Sequence, residues 1–169
     1  MKKLKLGVSS CLLGESVRYN GEHKRDSTVI DLLGQQFEAV PVCPEVELGM
    51  GVPREPVWLV ANDASSERMV GSESGKDWTQ AMVDFNSIKL EALRQQNLSG
   101  FIFKNRSPSC GPGNVPLHHE QEKSSTVGLF AHALMQYFPS LPVIDEEALQ
   151  DEIARQDFVA RVIQYGEKV

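Results

Sequence analysis

The sequence predicts an α/β fold, namely a Rossmann-like, three-layer domain in which helices cover both faces of a mainly parallel sheet, with an appended β-hairpin. Short apolar segments of strand length alternate with segments of helical periodicity, a pattern that favours parallel strands joined by helices. The chain has 169 residues, 41% of them hydrophobic and 24% charged, which are ordinary values for one globular domain. We therefore expect residues 1–169 to form a single domain.

The first part of the chain contains two predicted strands and a helix. Residues 3–9 and 37–42 have the length and apolar content of strands. Between them, residues 26–33 begin with an Asp-Ser cap and are expected to form a short helix that ends at Gly34. Residues 43–56 are rich in proline and glycine and are interpreted as a loop.

The middle of the chain interrupts the alternation with a hairpin. Residues 57–60 and 68–70, joined by the polar residues 62–66, predict two antiparallel strands. Residues 77–96 have the periodicity of an amphipathic helix, and residues 100–103 form a compact apolar run typical of a buried strand. The apolar stripe of the helix, which is expected to pack in the core, consists of Trp78, Ala81, Met82, Phe85, Ile88, Ala92 and Leu93.

The last part of the chain resumes the alternation. Ser124 or Ser125 is expected to cap a helix that continues to Tyr137. Residues 141–144 then form a short strand, and Asp145 is expected to cap the final helix. In an open parallel sheet of this kind, ligands bind beyond the carboxyl ends of the strands.

Three cysteines, Cys11, Cys43 and Cys110, each follow a predicted strand. If those strands are adjacent, the three thiols meet at one edge of the sheet. An odd number of cysteines at separations of 32 and 67 residues is neither a disulfide framework nor a local zinc knuckle. Three thiolates would leave one coordination position open on an iron-sulfur cluster. Structural zinc and inert or redox-active thiols are the alternatives.

The charge of the chain disfavours polyanionic partners. The net charge is -6 and the pI is about 5.2, so no general basic field attracts nucleic acid or an anionic membrane surface. No apolar run approaches the roughly 18 residues of a membrane span, and we expect a soluble cytoplasmic protein. The pair His118 and His119 lacks matching ligands nearby and is interpreted as loop. The basic residues near predicted active-face loops are Arg18, Arg25, Arg54, Lys104 and Arg106.

Four short motifs carry a resemblance to a known family: SCLLG at residues 10–14, RYNG at 18–21, PVCPE at 41–45 and SPSCG at 107–111. With these motifs the chain resembles the thiouracil desulfidase family, over nearly its whole length. The resemblance implies a [4Fe-4S] cluster that is held by three cysteine ligands, Cys11, Cys43 and Cys110, and has one open iron. That iron would take the sulfur of a thiolated nucleobase, because soft sulfur prefers a thiolate-ligated metal.

The resemblance also implies roles for two further residues. Glu45, two positions after the second cysteine, would activate the attacking water and shuttle protons. Ser107, three positions before Cys110, would position water or substrate. The implied reaction is hydrolytic removal of sulfur from thiouracil or a related base, without net redox change. Ser109 is the alternative to Ser107 for this positioning role, although the simpler role of Ser109 is to form a turn beside Pro108.

Two other functions stay open at this point. The cluster or bare thiols could sense redox state in a module without enzymatic activity. Alternatively, a desulfidase could act on thiolated tRNA, although the acidic charge and scattered basic residues favour a small base or nucleotide. The sequence leaves the oligomeric state undetermined.

Overall fold

The computed structural model describes residues 2–61, 67–119 and 123–169. Two short 3-10 turns, Ser10–Leu13 and Ala148–Gln150, accompany the regular elements. In chain order, the strands and helices are β1 (Leu4–Ser9), α1 (Ser27–Gln36), β2 (Phe37–Val42), α2 (Pro44–Leu48), β3 (Val57–Val60), β4 (Arg68–Gly71), α3 (Thr79–Gln96), β5 (Leu98–Phe103), β6 (Val115–His118), β7 (Lys123–Thr126), α4 (Leu129–Tyr137), β8 (Val143–Asp145) and α5 (Glu152–Gly166).

The main sheet has the strand order β2-β1-β5-β8, and every neighbouring pair in it is parallel. From β1 the chain moves to β2 on one side, and it later fills β5 and β8 on the other side. The order therefore reverses between β1 and β5. A reversal of this kind opens a crevice beyond the carboxyl ends of the two strands.

Helices pack on both faces of the main sheet, because side chains alternate between the faces along each strand. Leu6, Val8 and Ile102 belong to one buried cluster, which includes residues of α1 and α5. Phe101 and Phe103 belong to a second cluster, together with residues of α3 and α4. This arrangement confirms the predicted α/β class with a mainly parallel sheet between helical layers.

The predicted hairpin is one half of a second, four-stranded sheet. Strands β3 and β4 are antiparallel as expected, but the sheet has the order β4-β3-β6-β7. The prediction that Ser124 or Ser125 caps a helix was wrong, because both residues pair with β6 as part of β7 and α4 begins at Leu129. The predicted connection at residues 62–66 lies outside the described residues.

Several element boundaries differ from the prediction. Gly34 does not end α1, which continues to Gln36 until Phe37 pairs with β1. The final helix is capped by Asp151, whose carboxylate accepts a hydrogen bond from the Ala154 amide. Asp145 instead accepts from the amide of Ala148, in the 3-10 turn that precedes this helix. The predicted loop at residues 43–56 contains the short helix α2.

The buried face of α3 is shifted from the predicted stripe. Met82, Leu90 and Leu93 are buried, whereas Ile88 is 75% exposed, so its predicted place in the core was wrong. A polar side chain, Asn86, occupies the buried face one turn after Met82. Within the described ranges, no helix is long and apolar enough to cross a membrane.

Candidate active site

A pocket of about 300 Å³ lies at the carboxyl ends of the central strands of the main sheet. Cys11 lies in the 3-10 turn that follows β1, Cys43 comes directly after β2, and Cys110 lies in the loop between β5 and β6. All three cysteines line the pocket. The strands that they follow are neighbours in the sheet, so segments far apart in sequence reach the same crevice.

The loop that contains Cys110 is tied to the start of α4. The amides of Phe130 and Ala131 both donate to the carbonyl oxygen of Ser109 at 3.0 Å, and the amide of Gly111 donates to the carbonyl oxygen of Ser107. A Cβ atom on Gly128 would lie 2.6 Å from the Ser109 carbonyl, so only glycine permits this approach. Helix α4 thus holds the third cysteine against the sheet.

The three thiols are free and lie close enough to influence one another. Cys11 and Cys110 are buried, and Cys43 is half-buried. Burial raises the pKa of Cys11 to about 11, against an opposing effect from the Lys104 ammonium. Burial also raises the pKa of Cys43, and it raises that of Cys110 well above its ordinary value, with the charges of the other two thiols adding to the effect.

These thiols suit a metal group that brings its own positive charge. At neutral pH the raised pKa values keep the thiols protonated in the metal-free chain, and metal binding would replace the protons. No three His, Cys, Asp or Glu side chains in the described ranges are grouped so as to hold a metal ion together. In a multi-iron cluster each thiolate binds a different iron, which lets the ligands stand farther apart. The donor set therefore fits an iron-sulfur cluster better than a single zinc ion.

Glu45, in the first turn of α2, lines the same pocket, and both of its carboxylate oxygens are held. The Nε of Arg54 donates to Oε1 at 3.2 Å, and the hydroxyl of Ser109 donates to Oε2 at 2.7 Å. The pair is largely buried, since the side chains of Arg54 and Glu45 are 8% and 14% exposed. These contacts hold the carboxylate in one orientation at the pocket wall.

The two serines around Pro108 have different hydrogen-bond partners. Ser107 lines the pocket, and its Oγ accepts from the amides of Ser109 and Cys110 at 3.2 and 3.0 Å. Ser109 is fully buried and donates to Glu45, a contact that sequence reasoning missed because it joins residues 64 positions apart. The hydroxyl that stabilises this turn is therefore that of Ser107, and not that of Ser109.

Basic side chains surround the pocket in different pairing states. Arg18, Arg54, Lys104 and Arg106 line it, whereas the side chain of Arg25 packs beside Gly14. Lys104 forms a 2.6 Å ion pair with Glu146, in which the two side chains are 22% and 11% exposed. The Arg106 pair with Glu147 is exposed, at 3.7 Å. His118 is not in the pocket lining, and its ring stacks on that of Trp58 with the centroids 4.4 Å apart.

Sequence reasoning did not assign Trp58 or Asn105 to the pocket, although both residues line it. Trp58 was read only as part of a strand, and Asn105 only as a loop residue between Lys104 and the third cysteine. The position of Asn105, two residues after the buried strand β5, could have indicated a site residue. Asn105 lies at the same edge of the sheet as the cysteines.

Comparisons with known proteins give a matching family, a curated relative and a solved structure. Residues 6–146 match the family described as 2-thiouracil desulfurase. The chain is 34% identical over 112 residues to the uncharacterized protein YbbK of Bacillus subtilis (strain 168). The matched region covers 64% of this chain and 74% of YbbK. It is also similar to the solved structure of the [4Fe-4S]-dependent thiouracil desulfidase TudS, with a TM-score of 0.68 and 31% identity, covering 92% of this chain and 99% of the TudS chain.

Proposed function

The chain belongs to the 2-thiouracil desulfurase family, and on that premise we propose that it is a [4Fe-4S]-dependent desulfidase that removes sulfur from thiouracil or a related thiolated base. The observation that carries the proposal is the convergence of three free thiols on one pocket at the carboxyl ends of adjacent strands. We propose that residues 1–169 act as one domain, in the cytoplasm, where a reducing environment keeps thiols free.

Cys11, Cys43 and Cys110 are the proposed ligands, and they leave one iron open. When bound, such an iron supplies a soft Lewis acid that prefers the sulfur of a thiocarbonyl to an oxygen donor. Around it, the protein supplies a pocket in which the thiols are partly or fully withdrawn from water. Burial raises the pKa of Cys110 well above its ordinary value, and the neighbouring Ser9 hydroxyl opposes that rise by favouring the thiolate form.

Glu45 is the proposed general base. Arg54 and Ser109 each occupy one of its oxygens, and every carboxylate oxygen keeps a second lone pair that can accept a proton from water. Ser107 is proposed to position the water or the substrate. Its Oγ accepts two amide hydrogens, so its own hydrogen can point into the pocket.

The proposed reaction is a hydrolysis that involves no external electron donor. One water is consumed, the carbon–sulfur double bond becomes a carbon–oxygen double bond, and the sulfur leaves as hydrogen sulfide. Atoms balance and no electrons are gained or lost. A small thiolated base or nucleotide suits a pocket of about 300 Å³.

The decisive experiment measures iron and acid-labile sulfide per chain after anaerobic reconstitution, and then uracil and sulfide release from 2- and 4-thiouracil. We expect about four of each per wild-type chain, with the cluster lost in Cys110→Ala. Glu45→Gln should keep the cluster and lose turnover, whereas a redox sensor would tolerate that change. Wild-type protein that holds its cluster but releases neither product would contradict the proposed substrate.

A further inference from the structure

We propose that Asn105 is a specificity-determining residue that reads the N3–H and neighbouring carbonyl of the thiouracil ring through its side-chain amide. The inference rests on the proposed function and names the edge of the substrate that the same pocket recognises. Asn105 lines the pocket beside Lys104 and Ser107. It has no role in the proposed cluster ligation or proton transfer.

The first observation is that Asn105 is buried and that its amide oxygen has no partner among the described residues. The residue is 6% exposed, and its Oδ1 accepts no hydrogen bond from any residue that the structure describes. A buried polar atom without a partner costs stability, so its presence in a pocket wall calls for an explanation. Because the oxygen bonds to none of the described residues, a rotation about Cβ–Cγ breaks no hydrogen bond of that oxygen and can bring it to the pocket.

The second observation is that the backbone of Asn105 is held from both sides. Its amide donates to Oε2 of Glu146 at 2.6 Å, and its carbonyl accepts from the Nζ of Lys104 at 2.9 Å. Lys104 and Glu146 are themselves joined by the 2.6 Å ion pair. The main chain is thus firmly positioned while the side-chain oxygen has no partner in the described part of the chain, as expected of a residue arranged for a ligand.

The chemistry of the ring matches this free amide. In both 2- and 4-thiouracil the N3–H lies between the thiocarbonyl and the remaining carbonyl. An asparagine amide can accept from N3–H with its oxygen and donate to that carbonyl with its nitrogen. Sulfur ligands and cluster sulfides offer no donor, so they can satisfy the amide nitrogen but not the oxygen. The unpaired oxygen therefore indicates a ligand that donates from a ring N–H. Because both isomers carry this N–H, Asn105 would bind either of them.

A second buried amide in the chain provides a control. Asn86 also has an unpaired Oδ1, but its Nδ2 donates to the carbonyl of Leu129 at 3.3 Å and it does not line the pocket. Asn86→Leu therefore removes a buried amide of the same kind without touching the proposed recognition.

The test compares uracil with N3-methyluracil as ligands of the reconstituted protein, by calorimetry. Wild type should bind uracil roughly 10- to 100-fold more tightly, because the methylated ring cannot donate from N3. Asn105→Leu keeps the space filled, so it should weaken uracil binding by a similar factor and leave N3-methyluracil nearly unchanged. Asn86→Leu should retain the wild-type preference. Iron content is measured in each variant.

The outcomes separate this inference from the proposed function. Equal binding of the two ligands by wild type, or a parallel loss of both in Asn105→Leu, would overturn the role of Asn105 even if wild type desulfurates 4-thiouracil. Conversely, a uracil preference that disappears in Asn105→Leu supports the role of Asn105 even if wild type releases no sulfide from 4-thiouracil, in which case the proposed reaction fails alone.

Discussion

The buried thiol of Cys11 predicts that the metal-free protein becomes less stable at alkaline pH. Burial raises its pKa in the folded state to about 11, compared with an ordinary value of 9.0. Between these two values the unfolded chain loses the thiol proton while the folded chain keeps it. Ionisation then favours the unfolded state, so stability is fully present below pH 9 and falls as the pH rises towards 11.

The magnitude follows from the width of that window. One pKa unit corresponds to about 1.4 kcal/mol, so two units give a loss of about 3 kcal/mol from Cys11 alone. This is a large share of the 5–15 kcal/mol that is typical of a domain. Cys43 and Cys110 add to the loss in the same direction, because burial raises their pKa values too.

The assay is urea unfolding of the metal-free protein at several pH values between 8 and 11, in parallel with Cys11→Ala. The substitution changes stability at every pH by removing buried atoms, but it also removes one titrating group. The gap between the two curves should therefore change by about 3 kcal/mol across the window. Curves that stay parallel would refute the reasoning, since they would mean that the thiol titrates alike in both states.

Four further substitutions test the packing and the ion pairs. Gly7→Ala would bring a Cβ to 2.3 Å from the ring of Phe101, so urea unfolding should show a loss of about 1–3 kcal/mol. Gly34→Ala has no atom within 4 Å and lies in α1, so the same measurement should show a gain of about 0.5–1 kcal/mol. Lys104→Met should cost about 2–4 kcal/mol, because it leaves a buried carboxylate unpaired, whereas Arg161→Met, in an exposed pair, should cost below about 0.5 kcal/mol. Similar losses for these last two variants would contradict the assigned difference in burial.

Local patterns were sufficient to predict much of the sheet. The predicted strand at residues 37–42 coincides with β2, and that at 57–60 coincides with β3. Apolar runs between turn residues define such strands without knowledge of their partners. The cysteines could be assigned to strand ends for the same reason.

Features that depend on distant partners could not be predicted in this way. Lys123–Thr126 is polar, and it is a strand because β6 supplies its hydrogen bonds. The contact between Ser109 and Glu45 joins the loop after β5 to helix α2. The two hydrogen bonds that hold the backbone of Asn105 require β5 and β8 to be neighbours. No local pattern encodes these pairings.

The placement of the proposed ligands after three separate strands has a consequence for maturation. The three cysteines are separated by 32 and 67 residues, so an unfolded chain has no short segment that could bind a cluster with all three. The ligands meet once β1 has paired with both β2 and β5. On the proposed ligation, folding would precede cluster insertion, and iron and sulfide would enter an already folded protein through the mouth of the pocket.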